Sequence, residues 1–73
     1  MSINGYNSPV ANNAKRIIKK RGLKQIAVAE KAGFSIQEFN AMLNGRRIMK
    51  AIEIEALIIA LGIEANELFD KAS

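Results

Sequence analysis

The chain has 73 residues, 49% of them apolar and 25% charged, which describes one small folded domain and excludes a disordered tail. It contains neither cysteine nor histidine. Disulfides, thiolate or imidazole metal sites and Cys- or His-based catalysis are therefore excluded, and the composition suits a reducing cytoplasm. The net charge of +4 is unevenly placed: residues 1–50 carry ten basic side chains against two acids (+8), and residues 51–73 carry five acids against Lys71 (−4).

Residues 1–7 show no periodicity, and we expect a flexible arm there, followed by a single domain over 8–73. Met1–Val10 lacks the charged-then-apolar order of a signal peptide, and no apolar run approaches the ~18 residues of a membrane span. The expected location is the cytoplasm, in association with the nucleoid. The single proline, Pro9, follows Ser8, and Ser at the N-cap with Pro at N1 is a good helix start. Val10, Ala14, Ile17 and Ile18 then form one apolar stripe, and Lys19, Lys20 and Arg21 close the helix before Gly22. A second helix is expected from about Lys24 to Ala32, with Ile26, Val28, Ala29 and Ala32 available for packing.

The third helix, about 35–44, has the clearest start. Ser35 and Glu38 form an S-x-x-E capping box, and Phe34 and Phe39 occupy the two positions of a hydrophobic staple. The same staple spacing recurs at Leu23/Val28 and Ile63/Leu68. A fourth helix is expected from about Lys50 to Leu61 and a fifth from about Ala65 to Lys71. Gly22, Gly33, Gly45 and Gly62 each end a helical run, the role of a C′ residue at positive φ. No segment alternates with period two, so the expected fold is all-α, with five helices and short connections.

Two short helices joined at Gly33 have the form of a helix-turn-helix, whose second helix enters the DNA major groove. Gly33 tolerates the positive φ of the turn. Ala29 is small where the two helices cross, and Val28, Ala32, Phe39 and Met42 can hold the pair together. The stretch from Gln25 to Gly45, QIAVAEKAGFSIQEFNAMLNG, resembles the Xre/Cro-type helix-turn-helix family and is similar to lambda-like phage repressor DNA-binding domains, notably at Val28-Ala-Glu-Lys31 and Asn44-Gly45. The resemblance runs from about Ala14 to Phe69 and implies a compact five-helix, lambda-repressor-like fold. It departs from the family pattern at Leu43, at Met49-Lys50 and at Ile36, which stands where a polar residue often reads a base.

If Phe39, Met42 and Leu43 face the core, the opposite side of the third helix shows Gln37, Asn40, Ala41 and Asn44, at i, i+3, i+4 and i+7. Gln and Asn can each pair with the N6 and N7 edge of adenine. Ser35 and Ile36 lie at the helix start, which points at base edges in this motif, and Ile36 can offer apolar contact to a thymine methyl. A merely solvated face would more commonly carry Glu and Lys. For the phosphates, Lys24, Arg46, Arg47, Lys15 and Lys19 are candidates. Gln25 joins them at the start of the second helix, and by resemblance it matches a Gln that clamps the DNA backbone.

The fourth helix carries a core stripe (Ile54, Leu57, Ile58, Leu61) and a second apolar stripe, Ile52, Ala56, Ile59 and Ile63. The second either lies under the fifth helix or forms a homodimer interface, which would place two recognition helices one DNA turn apart. The leading expectation is a sequence-specific regulator that binds double-stranded DNA, a phage or prophage repressor or a Cro-like protein, as a dimer on a near-palindromic operator. One alternative is a DNA-binding antitoxin with a toxin as protein partner. The other is an interaction module that has lost DNA binding, which an absence of salt-dependent DNA affinity would favour. Four Ser, one Tyr and seven acids remain with no base, metal site or phosphate loop around them. The expectation is a non-enzyme with no cofactor or small-molecule ligand.

Overall fold

Proline fixes its own φ and lacks an N–H that a first helical turn would leave unpaired, so a helix can start at Pro9 without loss. In a computed structural model that describes residues 8–69, α1 spans Ser8–Lys20. Val10, Ala14, Ile17 and Ile18 are buried, as their three- and four-residue spacing requires. The arm expected over residues 1–7 lies outside the described residues.

Four more helices follow: α2 (Gln25–Ala32), α3 (Ile36–Leu43), α4 (Ala51–Leu61) and α5 (Ala65–Phe69). No strand occurs among the described residues. Lys24 and Lys50 precede α2 and α4 in extended conformation (ψ 135° and 160°), so both helices begin one residue later than their apolar spacing suggests. An N-cap leaves helical torsions while its carbonyl accepts the first helical bond. The carbonyls of Lys24, Ser35 and Lys50 do so from Val28, Phe39 and Ile54.

The capping box of α3 is complete. Ser35 Oγ accepts the Glu38 N–H at 3.1 Å, and Glu38 Oε1 accepts the Ser35 N–H at 3.1 Å. Lysine has no acceptor to offer, so α4 keeps only the returning half, Lys50 N–H to Glu53 Oε1 at 2.8 Å. Glu67 does the same for Glu64 at 3.0 Å. Between α2 and α3, Gly33 sits at φ 87°. The Gly33 N–H reaches the Glu30 carbonyl and the Phe34 N–H the Ala29 carbonyl, a Schellman closure that only a residue free of a Cβ makes cheaply.

The helices enclose one core. α1 packs on α3 and α5, α2 on α3 and α4, and α4 on α5. Phe39, Met42, Leu43, Leu57 and Leu68 lie at its centre. Ile26, expected to pack, is 53% exposed, because α2 turns Val28 and Ala29 inward and its first turn lies at the edge. Two polar bonds tie distant parts together. Asn13, only 3% exposed, donates from Nδ2 to the Leu68 carbonyl at 2.7 Å, and Arg21 donates to the Leu61 carbonyl at 2.7 Å. The second places a cation on the last residue of α4, where unpaired carbonyls and the negative end of the dipole favour one.

Candidate nucleic-acid interface

Because the capping box fixes the start of α3 and Phe39, Met42 and Leu43 are buried, the helix has one rotational setting. That setting leaves Gln37, Asn40 and Asn44 exposed and Ala41 half-buried on the outer side, with Ser35 exposed at the start. Asn44 Nδ2 donates to Asn40 Oδ1 at 3.0 Å, so the two amides hold one another in register along the face. Glu38 is the one acid on α3, and the Ser35 N–H already engages its carboxylate. Ile36 is half-buried and packs against the core. Only part of that side chain is left for a thymine methyl.

The cations expected to meet phosphate fall into two groups. Lys15, Lys19, Lys24 and Arg46 are exposed, as is Gln25 in the first turn of α2. α2 has no acid in that turn and no side-chain cap, so its leading N–H groups are available to an anion. Arg47 is different. It is half-buried, its Nη2 lies 2.9 Å from Glu53 Oε2, and its Nη1 is buried with no hydrogen-bond partner. The Lys50 N–H, opposed by burial and aided by the Arg47 guanidinium, holds the Glu53 carboxyl below its ordinary range. By sequence, Arg46 and Arg47 are equal candidates for phosphate contact. Nothing in the local spacing reveals that Glu53 claims one of them.

On α4, Ile52 and Ile59 are 72% and 73% exposed, with half-buried Ala56 between them. Ile63 does not join them outside: it is half-buried and packed on the core, because the five-residue staple spacing to buried Leu68 turns it inward. Phe69 is exposed and, with Ile52, lines an open apolar groove. Among the described residues no group of acids could hold a metal ion, and no helix is long and apolar enough to cross a membrane.

The five helices of the described residues, with α2 and α3 joined through a glycine at positive φ and α3 presenting an outward polar face, make this a helix-turn-helix of the Xre/Cro-type fold. A solved structure bears this out: the chain is similar to the restriction-modification controller protein C.AhdI from Aeromonas hydrophila. The TM-score is 0.81 at 25% identity, over 89% of this chain and 98% of that one. No protein-family model and no curated protein sequence matches the chain.

Proposed function

We propose that this protein is a sequence-specific regulator that binds double-stranded DNA, with α3 in the major groove, as a homodimer on a near-palindromic operator. The observation that carries the reading is the outer face of α3. Gln37, Asn40 and Asn44 offer donors and acceptors on a helix whose one charge is the capping Glu38, and exposed Arg46 follows the helix. Lys24 and Gln25 open the neighbouring helix α2. Base edges are read by such neutral amides, whereas phosphates are held by cations and helix starts around them.

The length of α3 supports the dimer. Eight residues of α3 rise about 12 Å, which covers three to four base pairs and falls short of a full site. Two copies related by a two-fold axis would read two half-sites. Ile52, Ala56 and Ile59 are the surface suited to that contact, since isoleucines so exposed gain most from burial. Control by concentration and by competition for DNA, as in phage repressors or Cro-like proteins, is part of this proposal. A restriction-modification controller is the second reading, favoured by the likeness to C.AhdI.

The test is a binding assay across salt concentrations against the DNA upstream of the protein's own gene and against random DNA, with sedimentation of the same samples. With about three to five phosphates neutralised per subunit, log affinity should fall against log salt with a slope near −0.9 per phosphate. Arg46→Ala is expected to weaken both DNAs alike and to flatten that slope by about one unit. Ile59→Lys should sediment as a monomer that keeps its helical circular dichroism, and a surviving dimer would move the interface elsewhere. A wild-type protein with no salt-dependent affinity would leave an interaction module instead.

A further inference from the structure

The recognition helix and α4 are not major packing partners: α3 leans on α1 and α2, while α4 leans on α2 and α5. The connection 44–50 joins them along the chain, and several hydrogen bonds hold it. At its start, the N–H groups of Arg46 and Arg47 both reach the Ala41 carbonyl, at 2.9 and 3.2 Å. Near its end, Met49 is buried in the core. One carboxylate then holds the rest: Glu53 Oε1 accepts the Lys50 N–H at 2.8 Å and Glu53 Oε2 accepts from Arg47 Nη2 at 2.9 Å. With Nη2 bonded to Glu53 and Nη1 buried, Arg47 offers a phosphate fewer donors than exposed Arg46 does.

We propose that Arg47 and Glu53 are positioning residues for DNA reading, a strut that fixes the path of the connection and so the aim of α3 relative to α4. Arg46, its exposed neighbour, is then the cation of the pair that meets the backbone. This rests on the DNA-reading function proposed above and assigns Glu53, an acid outside the reading face, a part in specificity.

A strut of this kind reverses the sign of a simple electrostatic expectation. Removing a carboxylate beside a DNA-binding surface ordinarily strengthens binding, because the phosphates lose a repelling charge. A strut predicts the opposite for the specific site. Glu53→Gln keeps the side-chain length and an acceptor for the Lys50 N–H, and removes the charge that holds Arg47.

The experiment measures operator and random-DNA affinity for wild type, Glu53→Gln, Arg47→Ala and the double variant, well below their melting temperatures. Amide exchange of the Arg46 and Arg47 N–H groups is followed in the free proteins. For a partly exposed pair, Glu53→Gln should lower the operator-to-random preference about threefold or more, and the double variant should lose no more than the larger single loss. Glu53→Gln should also speed exchange at both amides. A loss of stability alone would lower both affinities together and leave the preference intact. Equal or tighter operator binding by Glu53→Gln overturns the strut, as does an Arg47→Ala slope flattened by about 0.9, the mark of a lost phosphate contact. If wild type binds no DNA, the DNA-reading function fails on its own, and unchanged amide exchange in Glu53→Gln would remove the strut as well.

Discussion

Replacing Gln37 or Asn40 by alanine is expected to remove about 1–3 kcal/mol of operator binding each while leaving random DNA almost untouched. The asymmetry comes from what each group can touch. Both side chains lie on the exposed face of α3, away from the core set by Phe39, Met42 and Leu43. A side-chain amide there gains a bidentate partner only where the matching base lies in register, so its loss registers only on the cognate site. Asn40 carries a second consequence. Its Oδ1 accepts from Asn44 Nδ2, so alanine at 40 also releases Asn44, and Asn40→Ala should cost at least as much as Gln37→Ala. Competition binding with operator and random duplexes at one salt concentration measures both. Equal losses on the two DNAs would mean that this face contributes to affinity without reading bases.

The residues that set α3 in place were legible because their signals are local. Ser35, Glu38, Phe34 and Phe39 lie within six positions of one another, and each stands in the role its spacing assigns. Gly33 is likewise fixed by its own torsions. The bonds that escaped notice are those that sequence separation hides. Asn13 meets the Leu68 carbonyl across 55 residues and Arg21 the Leu61 carbonyl across 40, and a backbone acceptor leaves no mark in the side-chain pattern. Arg47 and Glu53 are only six apart, but a loop and a helix start lie between them, where no period applies. Periodicity also over-reached in short elements. Eight residues of α2 make little more than two turns, too few to tell the inward Val28 and Ala29 from the exposed Ile26.

Phe39→Ala is expected to cost about 3–5 kcal/mol of folding stability, the usual loss for a large buried aromatic. Phe39 is wholly buried on the inner side of α3, and its ring stands 5.8 Å from that of Phe34. Truncation therefore opens a cavity beneath the recognition helix and removes its staple together. A domain of this length holds only about 4–11 kcal/mol in total, and each kilocalorie lost lowers the melting temperature by about 4–8 °C at this size. Thermal melts followed by circular dichroism should accordingly shift down by more than about 12 °C. A melt within a few degrees of wild type would contradict the packing of α3 on α1 and α2. The DNA readout then separates support from contact. Stability peaks near 10–20 °C in most domains, so cooling should restore operator binding to Phe39→Ala as the folded fraction recovers. Asn40→Ala should stay impaired when cooled, because its fold is intact and only its partner on the base is missing.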